Sequence, residues 1–180
     1  MLTITVPKTE LFDHKKEEFI YVKEQKLSLE HSLISLARWE SKWKKPFLSP
    51  EDKTRTETLD YIRCMTLTSN VAPEVYYAIP DSVIEEVNNY IADSMTATTF
   101  RKEENHPNKE IVTAELIYYW MISLNIPLEC QKWHLNRLLT LIKVCSIKNA
   151  PSKKKKMSRS DLANRSALNA ARRKSLNSKG

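Results

Sequence analysis

Cys130 and His134 stand four residues apart. On an α-helix that spacing puts both on one side, where a thiolate and an imidazole could hold zinc or act as a nucleophile and its base. Structural zinc takes four ligands, usually delivered as two close pairs, and the other candidate donors, Cys145 and His31, are isolated in the sequence. A nucleophilic dyad needs an orienting carboxylate and an oxyanion hole. Nothing beside Cys130 and His134 supplies either, and both lie in an apolar run, so they read as packing. No metal ligand and no catalytic residue is assigned.

The remaining chemistry-bearing types point the same way. Glu85 and Glu86, like Glu103 and Glu104, are adjacent and diverge on any regular element, so no paired-carboxylate site is expected. One glycine occurs, Gly180. Phosphate-cradling loops, dinucleotide fingerprints and nucleophile elbows need glycine where backbone meets ligand or bends sharply, which excludes the commonest nucleotide-binding enzymes and predicts no cofactor. Turns must then be built from Pro, Asn, Asp and Ser. Trp39, Trp43, Trp120 and Trp133 fall at helical core spacings and read as packing rather than as a platform for bases. Cys64, Cys130 and Cys145 lack a disulfide framework and read as reduced, buried thiols.

The elements that carry these residues follow from periodicity. Leu2, Ile4 and Val6 alternate with threonines, and Phe19, Ile20, Tyr21 and Val22 form a β-prone run, predicting two strands that face each other in a small N-terminal hairpin. From Leu33 the period becomes helical through Trp43. Ser49, Pro50, Glu51 and Asp52 read as a helix start, with Leu59, Ile62 and Met65 on the buried side. Pro80 and Asp81 open another helix, with Asp81 as its cap. Residues 101–109 read as a loop, and Thr96, Thr98 and Thr99 as a strand-like edge. Residues 110–124 hold too many apolar positions for a helix with a wet side, predicting a central helix. Residues 128–147 continue after Asn125, Ile126 and Pro127, and the two should pack as a helical hairpin. The fold class expected is mainly α, a helical core with a small hairpin.

Charge divides the chain. Residues 150–180 carry ten basic residues against the single acid Asp161, and the whole chain has a formal charge of +7, leaving residues 1–149 slightly acidic. We therefore expect a core domain over 1–149 that folds alone, and a basic tail over 150–180 joined by Asn149, Ala150, Pro151 and Ser152. Leu162, Ala163, Ala167, Leu168, Ala170, Ala171 and Leu176 sit among Arg165, Arg172 and Arg173. About 17 residues rich in alanine are marginal as a free helix, so the tail should be flexible and become ordered on binding. Lys153, Lys154, Lys155, Lys156, Arg172, Arg173 and Lys174 are its candidate partner-binding residues. Three uses fit: a solubilising tail, an arm for nucleic-acid phosphates, or an arm that folds on an acidic protein. No leader or span of about 18 apolar residues is visible, so a soluble protein with no membrane partner is expected.

One resemblance adds a partner class. The run from Leu29 to Trp43, with Lys45-Pro46-Phe47-Leu48 after it, resembles a group of small proteins from tailed bacteriophages, as do Tyr118-Tyr119-Trp120-Met121-Ile122, Ile126-Pro127, Cys130-Gln131-Lys132-Trp133-His134-Leu135-Asn136-Arg137-Leu138 and Ala167-Leu168-Asn169-Ala170-Ala171-Arg172-Arg173. These runs cover about a quarter of the chain. The group is similar to tail assembly chaperones of long-tailed phages, which hold the tape measure protein and help recruit tail tube subunits. The resemblance implies a non-enzymatic binder in the host cytoplasm, with tape measure and tail tube proteins as partners. The alternatives are a basic, nucleic-acid-associated phage protein of packaging or the virion interior, and a head-tail connector or other virion component.

Overall fold

The alternation of Leu2, Ile4 and Val6 does build a strand, and the N-terminal part holds a small β-hairpin as expected, but the strands pair differently. The computed structural model describes residues 1–13, 17–100, 111–150 and 158–177. In it β1 (Leu2–Val6) pairs antiparallel with β4 (Gln25–Leu29), Ile4 opposite Leu27 and Leu2 opposite Leu29. Between them, β2 (Thr9–Asp13) and β3 (Glu18–Val22) form a second antiparallel pair. Phe19–Val22 thus meets residues 9–12 rather than β1. The physical reason is burial: Ile4, Val6, Leu27 and Leu29 are all buried and share one face, a period-2 match that Phe19, exposed, cannot offer.

The helices follow the apolar stripes, with starts set by caps. α1 (Leu33–Trp43) begins at Ser32, whose hydroxyl accepts from the Ser35 amide while Ser35 Oγ accepts from the Ser32 amide. It ends at Lys44, held at φ 55° without glycine. Lys44, Glu17 and Met95 take left-handed backbone alongside Asn70, Asn125 and Asn177, so not all such positions fall to the expected turn formers. α2 is Arg55–Met65, not a helix from Ser49. Thr54 and Glu57 form a capping box, and its two reciprocal bonds fix the start of the helix there rather than at Ser49. α3 is Pro73–Tyr77 and α4 Asp81–Ala92. Pro80 occupies the cap position, and Asp81 instead pairs its carboxylate with Arg55.

Residues 95–100 form no strand, which removes the expected threonine edge. The expected loop at 101–109 lies outside the described residues. α5 is Ala114–Ser123, capped by Thr113, and it is not buried all round. Ala114, Ile117 and Met121 face inward, whereas Tyr119 and Ile122 are exposed. α6 (Leu135–Asn149) follows a 3₁₀ turn at Leu128–Lys132, so the second member of the expected hairpin is broken at Trp133 and His134. α5 and the 3₁₀ turn both pack on α1 instead.

The chain is mainly α with a small N-terminal β component, and it divides into two compact units, Met1–Lys148 and Asn149–Gly180. In the first, Leu33, Leu36, Trp39, Tyr61, Ile62, Met65, Ile117, Met121, Leu135 and Leu138 belong to one buried apolar cluster. The second contains α7 (Arg159–Ser175).

Candidate functional site

Three arrangements stand out in the structure: a buried histidine pair, two exposed apolar faces and the cationic helix α7. The first begins where β4 runs into α1. The Glu30 amide donates to the Met65 carbonyl at 2.9 Å, and the Leu135 amide donates to the His31 carbonyl at 2.7 Å. The second bond draws the starts of α1 and α6 together, and Ser32 and His134 form an antiparallel bridge. His31 and His134 thereby meet edge to face, ring centroids 5.1 Å apart. His31 Nδ1 lies 2.6 Å from the Tyr61 hydroxyl, and His134 Nε2 lies 3.1 Å from the Tyr90 carbonyl.

The carbonyl can only accept, so His134 Nε2 carries the proton and Nδ1 of the neutral ring is a bare lone pair. That Nδ1 is buried and has no hydrogen-bond partner among the described residues. Burial pushes the His31 imidazole down to about 3, helped by the adjacent His134. Burial also lowers His134, against the Tyr90 carbonyl and the nearby carboxylates of Glu30 and Asp93. With 1% and 6% of their surfaces exposed, neither ring reaches a substrate arriving from solvent. The pair is a neutral joint between helices.

This geometry separates Cys130 from His134 as a chemical couple. Cys130 lies in the 3₁₀ turn and Trp133 is extended, so the same-side spacing of a continuous helix is lost. Among the described residues, no three His, Cys, Asp or Glu side chains could together hold a metal ion. Cys64, Cys130 and Cys145 are free thiols, and burial pushes Cys64 up to about 11. Of the four tryptophans, Trp39 is buried with Nε1 donating to the Glu57 carbonyl at 3.0 Å. Trp133 is not core. It is exposed and stacked with the Arg137 guanidinium at 4.4 Å, because it sits in the break that spacing alone counted as helix.

The exposed faces were not read from sequence. On the β2–β3 hairpin, Phe12 stands opposite Phe19 and Glu10 opposite Tyr21, placing three aromatic rings on the outer face; the Phe12 and Phe19 centroids are 5.1 Å apart. Tyr21 is 70% exposed. The alternation in Glu10-Leu11-Phe12 and Phe19-Ile20-Tyr21 was the available signal. On α5, Tyr119 and Ile122 are neighbours at i, i+3 and point outward, with Ile122 68% exposed. Both surfaces thus expose apolar side chains to solvent.

Of the sequence-predicted binding residues, Lys153, Lys154, Lys155 and Lys156 lie outside the described residues. Arg172, Arg173 and Lys174 occupy the last turn of α7, where cations suit the negative end of the helix dipole. Successive residues are about 100° apart on a helix, so these three ring its end rather than forming one stripe.

No family model, curated protein or solved structure matches this chain. Among the described residues, no helix is long and apolar enough to cross a membrane.

Proposed function

We propose that the chain is a non-enzymatic tail assembly chaperone of a tailed bacteriophage, binding the tape measure and tail tube proteins in the host cytoplasm. The observation that carries this reading is the outward apolar face of α5, where Tyr119 and Ile122 are exposed opposite the buried Ala114, Ile117 and Met121. A tape measure protein presents apolar helical surface before the tube encloses it, and an amphipathic helix finds its complement on such a face. The motif resemblance supplies the partner class. The basic segment 150–180 acts as an adaptable arm that speeds encounter with acidic regions of the partner. No catalytic step and no cofactor is part of this reading.

Co-expression with the tape measure and tube proteins of the same phage tests it. Their soluble yield should rise, and affinity capture should recover the complex after nuclease treatment. If nuclease abolishes capture, or the purified chain holds nucleic acid and ignores both tail proteins, the chaperone reading fails. The second reading then stands: a nucleic-acid-associated phage protein, favoured by the ring of Arg172, Arg173 and Lys174 on α7. A chain retained in purified virions points instead to a head-tail connector or other structural component.

A further inference from the structure

A cleft between α1, α2 and α3 combines an aromatic wall with uncompensated positive charge. Trp43, Leu59, Tyr76 and Tyr77 line it, with Lys42, Asp60 and Arg63 at its polar side. Its volume is about 100 Å³, well below the roughly 300–1,000 Å³ of a site that engulfs a small-molecule ligand. A single side chain fits, so the rest of any ligand must run across the surface outside. The carboxylate within the cleft is already satisfied. Asp60 accepts from Trp43 Nε1 at 2.8 Å and is ion-paired with Lys42.

Arg63 and Arg38 are exposed, and neither forms a salt bridge among the described residues. Arg38 precedes Lys42 by one turn of α1, so both stand on one side of that helix, and Arg63 lines the cleft from α2. Against these three cations stands Asp60, so the rim carries a local excess of positive charge although the surrounding domain is slightly acidic by sequence. Aromatic side chains around a pocket, with polar groups at its rim, are the usual anatomy of an anchor point for a protein partner.

We infer that this cleft binds an acidic, extended protein segment, which inserts one aromatic or aliphatic side chain against Trp43 and Tyr77 and sets its carboxylates beside Arg63 and Arg38. A peptide is favoured over a nucleic acid because a cleft of about 100 Å³ admits one uncharged side chain and leaves the ligand's charged groups outside. The inference is independent of the phage reading, since it uses no property of a tail protein.

Fluorescence anisotropy on the full chain tests it with a labelled decapeptide carrying one phenylalanine among glutamates. Saturable binding is expected, weakened at least tenfold by Arg63→Glu with Arg38→Glu, by Tyr77→Ser, and by replacing the peptide's phenylalanine with glycine. Those three positions are exposed, so circular dichroism should show the variants folded; a variant that is not folded is replaced by Arg63→Gln and Tyr77→Phe, for which smaller losses of the same order of ranking are expected. Absent binding up to millimolar peptide overturns the inference. So does equal binding of the glycine peptide, or a single-stranded oligonucleotide that competes fully and shows the same dependence on Arg63 and Tyr77.

Discussion

His31 and His134 touch edge to face across the junction of α1 and α6, and the lone pair of His134 Nδ1 points at no donor among the described residues. A proton added there would create a buried cation with an N–H that has nowhere to donate, a costly state. The unfolded chain meets no such obstacle. Between the ordinary histidine value near 6.5 and the folded value of His31 near 3, the unfolded state therefore binds more protons. Stability must fall as pH falls through that window.

The expected outcome is a urea midpoint that is flat above pH 7 and declines below about 6.5. His31 alone gives a limiting slope of about 1.4 kcal/mol per pH unit, and His134 adds a contribution of the same sign. Glu57, held down to about 2 by its bonds to Lys45 and Thr54, also loses stabilising interactions in acid. Its loss starts near pH 4.5, so the two causes separate by where the decline begins. Denaturant titrations at half-unit steps from pH 7.5 to 4 check this; a midpoint constant down to pH 5 would count against the joint.

Glu40 offers a second test. Its Oε1 accepts from the Phe47 amide and its Oε2 from the Ala114 amide, each at 2.8 Å. One buried carboxylate thus ties the loop after α1 to the first turn of α5, where the positive end of the helix favours it. Glu40→Gln turns one acceptor into a donor facing an N–H and should cost about 2–3 kcal/mol. Glu40→Ala leaves both amides unmet and should cost more. Equilibrium unfolding measures both, and a loss below about 1 kcal/mol for the alanine variant would show the carboxylate is not needed there.

Backbone strain gives a stabilising prediction. Lys44 ends α1 at φ 55°, ψ 32°, with its amide donating to the Glu40 carbonyl at 2.8 Å. The left-handed region costs a residue with a Cβ roughly 1–2 kcal/mol, and glycine avoids that while losing more entropy on folding. Lys44→Gly should raise stability by about 0.5–1 kcal/mol and leave the far-UV spectrum unchanged. Thermal unfolding of the variant beside the parent decides, with a lowered midpoint as the contrary result.

The stripes of α1, α2 and α4 were legible because each buries one face against a single core. Leu33, Leu36 and Trp39 recur at helical spacing, and burial follows it. Partnership was harder to read. Leu27 and Leu29 alternate with Lys26 and Ser28, but so close to a helix that the alternation alone does not mark them as the partner of β1, and the β-prone Phe19–Val22 competes for it. Ser49-Pro50-Glu51-Asp52 carries the more conspicuous helix-start signal, while Thr54 and Glu57, which cap α2, stand among ordinary polar types. Of the candidate site, charge counting alone found the cations of α7. It could not find the bared apolar faces, because apolar content does not say which side of α5 faces α1; that depends on contacts more than 70 residues distant, as the Glu40–Ala114 bond illustrates.

The last prediction separates the two surfaces that the chaperone reading uses. Charges far from a contact act on encounter, and their effect is screened within about 10 Å at 0.1 M salt. Buried apolar contacts act on dissociation. Reversing Arg172, Arg173 and Lys174 to glutamate should therefore slow association with a purified tape measure fragment about tenfold at low salt, and hardly at all at 0.5 M. Ile122→Glu places a charge on the α5 face, where Ile122 is exposed in the free protein, so the fold should survive. It should speed dissociation at least tenfold at either salt concentration, since a desolvated unpaired carboxylate costs several kcal/mol at an interface. Surface plasmon resonance with the fragment immobilised reads both rates. If the α7 variant changed only dissociation, or the α5 variant only association, the two surfaces would not divide the work as proposed; if neither rate moved, the partner would bind elsewhere on the chain.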